Sequence, residues 1–379
     1  MYDVILLSLA EGGGGSGPGA CGGACGSCDS PAAPAGSAAA TAGASSATGT
    51  VSSATAGSAA ASSSAAGASS ATGGASSATE AGGDSVETAE ACGTPRVPVL
   101  KCAEALTRAG ARVETVVASS DADIDAVIAR FDAAPRADGL TWPDPDSKVR
   151  LVVATATDGQ LRAVMRRLVR RYAPPPSKRP GDLAENRTVP DLPPVAILPL
   201  DAGNRNDLAA QLGLPRDPAA VAAAVLGTSV RRLDLLRNDG GSVTVDGALV
   251  GGVDDDGRAV PWRGRIEVDD AVLSDGTEGI LACAIGNGGG YAEFDGLRLL
   301  PAGDPTDGRV EVAVAVPVAV KQRFRKTTVR VEVRRARGRA VSVLPRDGEL
   351  QFLDDGVAGS TNRKRSWWTE PGAWAVYAA

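Results

Sequence analysis

Arg150-Leu-Val-Val-Ala-Thr-Ala-Thr-Asp-Gly-Gln-Leu-Arg-Ala-Val-Met-Arg-Arg-Leu-Val169 is the stretch on which the fold turns. Leu151 to Ala154 is continuously apolar, as in a strand buried on both faces of a parallel sheet. Beyond the turn, Leu161, Val164, Met165, Leu168 and Val169 recur at i, i+3, i+4, i+7 and i+8, one apolar stripe of a helix. A buried strand that passes through an Asp-Gly turn into an amphipathic helix is a βα unit. The turn, Thr155 to Gln160, has two readings. Its backbone N–H groups and the helix N-terminus form an anion site suited to phosphate, or Asp158 merely caps a helix that begins near Leu161.

The same grammar extends to both sides. Asp3 to Leu9 reads as a second buried strand, and Val99, Leu100, Ala103 and Leu106 lie at helical spacing before Gly110, a natural C-cap. Arg112 to Val117 reads as a strand. Asp121 to Phe131 reads as a short helix with Ile124, Val127, Ile128 and Phe131 on one face. After the Pro-rich connection that ends at Pro194, Val195 to Leu200 makes another strand and Asp207 to Leu212 a helix. Alternation at this spacing predicts an α/β unit with a doubly wound, mostly parallel sheet, formed by residues 1–10 and 96–228. Ligands of such sheets bind at the carboxyl ends of the strands, where the Ala154 to Gln160 and Asp201 to Asn206 loops fall.

Between these parts, residues 11–95 are almost wholly Gly, Ala, Ser and Thr, with too few large apolar side chains for a core, and are expected to form a disordered insertion. Cys21, Cys25 and Cys28 lie inside it in a C-x3-C-x2-C array. Thiols in a flexible loop are the plain reading, and a zinc or redox role is the alternative. From residue 229 to 379 the pattern changes to alternating apolar and polar runs, among them Ser242-Val-Thr-Val, Arg265-Ile-Glu-Val, Arg309 to Val316 and Thr328 to Val333. This predicts an antiparallel, sandwich-like β half.

Composition narrows the chemistry. A formal net charge of -6 speaks against a general nucleic-acid binder. With no histidine in the chain, acid–base work falls to Asp, Glu, Lys, Tyr, Cys or water. The opening apolar run, Val4 to Ala10, is much shorter than the ~20 residues that span a bilayer. A cytoplasmic protein is expected, peripheral at a membrane if its substrate lies there. The Arg162, Arg166, Arg167, Arg170 and Arg171 face reads as a solvated helix face, with attraction to anionic headgroups as the alternative. Trp367, Trp368 and Trp374 read as core packing in a terminal strand.

Six pieces in fixed order carry a resemblance. They are the strand–Asp158-Gly159–helix unit; Pro199-x-x-x-Gly203-x-x-Asn206-x-x-Ala209 with Leu212-Gly-Leu-Pro215; Arg231-Arg-Leu-Asp-Leu235; Ile285-Gly-Asn-Gly-Gly-Gly290; Asp304-Pro-Thr-Asp-Gly-Arg-Val-Glu-Val312; and Asp347-Gly-Glu349. Together they resemble the catalytic domain of diacylglycerol kinases, a family related to sphingosine and NAD kinases. The resemblance implies an ATP-dependent, Mg²⁺-assisted kinase of a lipid hydroxyl. It implies Thr157, Asp158, Gly159, Gln160, Gly203, Asn204 and Asn206 at the nucleotide, Asp307 at a Mg²⁺, and Asp347 and Glu349 as the carboxylates of which one accepts the alcohol proton. Read by themselves, Asp347 to Glu349 make a hairpin turn and Asp304 to Gly308 an Asx-type turn. The family shows Gly-Gly-Asp-Gly-Thr where this chain has Ala156-Thr-Asp-Gly-Gln160, and Asp201-Ala-Gly-Asn204 replaces a Gly-Thr core. These departures define the alternative, a catalytically degenerate protein of the same fold that binds nucleotide or lipid. Phosphorylation of NAD is a weaker third option, because the Asp-Gly-Glu pattern belongs to the lipid branch.

Overall fold

The computed structural model describes residues 1–10, 96–201, 203–204, 206–253, 258–288, 290–291, 293–301, 303–320 and 328–378. The expectations for the 11–95 insertion and for Cys21, Cys25 and Cys28 lie outside the described residues.

The α/β part forms where the hydrophobic pattern places it. Strand β1 (Asp3–Leu9) leads to helix α1 (Val97–Arg108), β2 (Arg112–Ala118), α2 (Asp121–Ile128), β3 (Val149–Thr155), α3 (Asp158–Tyr172), β4 (Val195–Pro199), α4 (Leu208–Gln211) and α5 (Pro218–Leu226). The strands run in the order β2-β1-β3-β4, all parallel. Helices cover both faces. Ile5, Leu7, Leu151 and Val153 pack with α2 and α3, while Val4, Leu6, Val152 and Ala154 pack with α1 and α5. That two-sided burial is why the centres of β1, β3 and β4 are continuously apolar, whereas the edge strand β2 carries exposed Arg112, Glu114 and Thr115.

Two local signals acted differently from expectation. Helix α3 begins at Asp158 with Thr157 as its N-cap, so Asp158 lies inside the first turn and does not cap the helix. Helix α5 went unread, although Asp217 accepts from the Ala219 and Ala220 N–H groups and Pro218 opens the first turn. The arginine face of α3 is not simply solvated. Arg166 and Arg167 pair with Asp121, Arg167 also bonds Asp125, and Arg171 bonds Asp132. The acids of α2 and the turn after it face these arginines, and burial of the long stems between the helices completes the layer.

The second half contributes β5 (Val230–Asn238), β6 (Val243–Thr244), β7 (Gly247–Val250), β8 (Gly252–Val253), β9 (Ala259–Val260), β10 (Gly264–Val268), β11 (Ala271–Asp275), β12 (Ala282–Gly286), β13 (Glu293–Phe294), β14 (Leu297–Arg298), β15 (Val310–Val320), β16 (Thr328–Gly338), β17 (Ala340–Pro345), β18 (Leu350–Asp354), β19 (Val357–Thr361) and β20 (Arg365–Tyr377). One sheet runs β16-β15-β12-β7-β18-β19. The others do not all form a separate sheet. The long strand β20 pairs with β17 and β5 on the antiparallel side and, at Val376↔Val195, runs parallel to β4. The parallel sheet therefore continues into the sandwich as β11-β10-β17-β20-β4. Its antiparallel wing packs Ile266, Val343 and Trp367 against Ala248, Ile285, Val314 and Phe352 of the six-stranded sheet. Trp367 and Trp374 are fully buried, and Trp368 is half-buried with its indole N–H on Glu370.

Candidate active site at the carboxyl ends of β3 and β4

Strands β3 and β4 are hydrogen-bonded neighbours, with Ala154 opposite Leu198 and Thr155 opposite Pro199, and the Leu200 N–H bonds the Thr155 carbonyl at 2.8 Å. Their following loops therefore meet. The meeting point is Asp158, whose Oδ1 accepts the Leu208 N–H at 3.1 Å, at the start of α4. The Thr157 side chain makes no cap bond to α3 and the Gln160 N–H bonds the Thr157 carbonyl at 3.1 Å, so among the described residues it is the Asp158 and Gly159 N–H groups that are left to an external acceptor. Gln160 folds back to accept the Ala156 N–H at 2.7 Å, which holds the turn closed.

The second loop is shaped by its own side chains. Gly203 donates its N–H to Asp201 at 2.9 Å, and Asn206 donates to Asn204 at 3.0 Å. Asp207 caps α4 through the Ala210 N–H. Arg216 bonds Asp207 and the carbonyls of Asp201 and Asn204, neutralising the acidic loop from behind.

The β half supplies a third wall that sequence reading missed. Asp246, between β6 and β7, accepts the Gly290 N–H at 2.9 Å and the Gln211 side chain of α4 at 3.0 Å. Asp355 accepts N–H groups from Val245, Asp246 and Gly247. Asp354 takes the Thr244 hydroxyl at 2.6 Å and Arg162 of α3 at 2.9 Å. Asp246, Asp354 and Asp355 are fully buried. Gly288 and Gly290 are needed here, since a Cβ would stand 2.9 Å and 1.7 Å, respectively, from the Asp246 carboxylate. Tyr291 holds a left-handed backbone, φ 56, and sets its hydroxyl over Gly356. Such a conformation in a non-glycine residue costs about 1–3 kcal/mol and persists where its surroundings impose it.

The electrostatics follow from crowding acids in a dry place. Burial, with the nearby Asp207 charge, pushes Asp158 up to about 6. Burial, then the Asp158 charge, pushes Asp246 up to about 7. Asp355 is driven well above the ordinary carboxylate range by burial and then by Asp354, and the Tyr291 phenol rises by burial and the same acids. Among the described residues Asp158 Oδ2 accepts no hydrogen bond, as is also true of Oδ2 of Asp201 and Asp207 in the second loop, whereas both oxygens of Asp246, Asp354 and Asp355 are taken.

Thr157, Asp158, Gly159, Gln160, Gly203, Asn204 and Asn206 are thus gathered at one crevice. Asp347 and Glu349 are not. Asp347 is exposed and pairs with Arg263 at 2.8 Å, and Glu349 accepts the Ser360 hydroxyl at 2.5 Å at the open end of the β18–β19 hairpin. Six residues of extended chain, about 20 Å, separate Glu349 from Asp355. The Asp-Gly step that reaches the crevice is Asp355-Gly356, and Val357 follows it. The signal was present in the sequence, but Asp347-Gly-Glu349 carried the fuller pattern. Asp307 lies elsewhere, bonded to Arg309 and Arg337. A cavity of about 700 Å³ opens beside Arg150 and Tyr377, at the amino end of β3 and away from these loops.

A doubly wound α/β unit with a crevice over two adjoining strand ends, roofed by an antiparallel sandwich, is the class that the fold and site define. More narrowly, residues 93–238 match the model of the diacylglycerol kinase catalytic domain. Among solved structures, a diacylglycerol kinase from Bacillus anthracis str. Sterne is 15% identical, over 74% of this chain and 90% of its own, with a TM-score of 0.49. A second structure from the same organism covers 74% and 91% at 15% identity, with a TM-score of 0.50, and speaks for the shared fold alone. No curated protein matches the chain. Among the described residues no helix is long and apolar enough to cross a membrane.

Proposed function

We propose that the protein transfers the terminal phosphoryl group of ATP to the hydroxyl of a diacylglycerol-like lipid, with the nucleotide phosphates at the uncapped start of α3 and the 200–207 loop beside them. One observation carries this reading: Asp158 joins the two loops through Leu208, has no donor on Oδ2 among the described residues, and is pushed by burial up to about 6. A carboxylate poised close to neutral pH is suited to take the proton of an attacking alcohol. Mg²⁺ would enter with the nucleotide phosphates and neutralise their charge when bound. The other acids of the crevice already accept protein N–H or O–H groups and serve to hold the β half against α3 and α4. A lipid acceptor makes transient contact with a membrane surface part of the proposal.

A second reading has its own observation. A Cβ at Gly159 would stand 2.7 Å from the Val357 side chain, so the β18–β19 turn packs on the residue where the family brings backbone to phosphate. This favours a protein that binds nucleotide or lipid without turnover. Calorimetric titration with ATP and Mg²⁺, followed by transfer of labelled phosphate over a panel of lipid alcohols, separates the two. Binding with transfer supports the first reading, binding alone supports the second, and absence of both removes the nucleotide site.

A further inference from the structure

The resemblance implies a Mg²⁺ at Asp307, yet the residues there do not fit a metal. Asp307 Oδ1 accepts the Arg309 N–H at 2.9 Å, and Oδ2 is bonded by the Arg337 guanidinium. Asp304 Oδ1 is taken by the N–H and hydroxyl of Thr306 at 3.0 and 2.6 Å. Asp234, the buried acid beneath this loop, accepts Gly308 N–H at 2.6 Å and Gly372 N–H at 2.8 Å. Magnesium demands a nearly octahedral set of oxygens at about 2.0–2.1 Å. Among the described residues no group of three or more ligating side chains is placed to hold a metal ion.

Strand pairing explains what fills the role. Arg337 on β16 stands opposite Glu311 on β15, and its Nε lies 3.4 Å from the Glu311 carboxylate. That cross-strand pair aims the distal end of the guanidinium past β15 at the 304–309 loop. The loop is a clasp between the two sheets: the Asp234 N–H of β5 bonds the Pro305 carbonyl at 2.7 Å, Gly308 returns a bond to the Asp234 carboxylate, and Pro371 of β20 packs on Gly308.

We infer that Arg337 is a built-in cation that takes the place of a divalent metal at the Asp307 loop, so that this clasp closes on protein charge alone. A guanidinium is always charged and carries no metal-concentration dependence. The inference does not rest on the kinase reading, and its test uses no nucleotide.

The test is the melting temperature of the full chain in EDTA and in millimolar Mg²⁺, for the wild type, Arg337→Ala and Arg337→Lys, each with an Asp307→Asn partner. The quantity read is the Mg²⁺-induced shift minus that of the Asp307→Asn partner, which cancels metal bound elsewhere. The wild type and Arg337→Lys should give no difference. Arg337→Ala should melt about 2 °C lower in EDTA, as expected for loss of a partly exposed ion pair, and because the substitution frees Asp307 Oδ2 and the Glu311 carboxylate, Mg²⁺ should restore it. A wild-type difference as large as that of Arg337→Ala, or an Arg337→Ala protein indifferent to Mg²⁺, overturns the inference.

Discussion

Replacing Asp246 by Asn should flatten the pH dependence of stability. Asp246 is fully buried, accepts from Gly290 and Gln211, and is pushed from 3.8 up to about 7 by burial and the Asp158 charge. Because its folded value is raised, its contribution is complete below pH ~4 and is lost as pH climbs through about 7. Between pH 5 and pH 8 that loss amounts to ~3 kcal/mol, at about 1.4 kcal/mol per pH unit up to the folded value. Asparagine keeps the shape and the acceptor for Gly290, while Gln211 can turn its amide to match. Urea unfolding at pH 5 and pH 8 reads the difference: the wild type should lose ~3 kcal/mol more than Asp246→Asn over this span. Equal losses in both proteins would refute the assignment of a buried, proton-holding carboxyl at this position.

Arg162→Ala leaves Asp354 buried without its closest cation and should cost about 3 kcal/mol, more at pH 8 than at pH 5, by denaturant titration. Gly159→Ala drives a methyl into Val357 and should cost about 1–3 kcal/mol. Val357→Ala in the same chain should recover most of that loss, and additive losses would contradict the contact. Asp347→Asn and Glu349→Gln, at exposed positions far from the crevice, should each change stability by less than ~1 kcal/mol and leave any phosphate transfer unchanged. A collapse of transfer in either variant would return the proton-accepting role to that hairpin.

The parallel sheet was legible because both of its faces are buried: Leu151 to Ala154 and Val195 to Pro199 have no polar face to confuse with a surface strand. The pairing of these strands followed, and with it the meeting of their loops around Asp158. The third wall was hidden because its acids are brought together from Asp246, Asp354 and Asp355, across more than a hundred residues, by the pairing of β7 with β18. Nothing local marks Asp354-Asp355-Gly356 as the turn that enters the crevice, whereas Asp347-Gly-Glu349 matched the expected pattern and went to an exposed corner. Arg162 shows the same limit, since one helical stripe of arginines divides between α2 and the β half only when both are in place. The continuity of the sheet through β20 depends on the bulge between Glu370 and Trp374, which periodicity does not reveal.

Transfer of labelled terminal phosphate from ATP to diacylglycerol in mixed micelles, by the wild type and by Asp158→Asn, tests the central claim most directly. The account predicts labelled phospholipid from the wild type and a drop of at least ~10²-fold in Asp158→Asn, with the fold retained. Equal turnover in the two proteins, or ATP bound by the wild type with no lipid ever labelled, would contradict it.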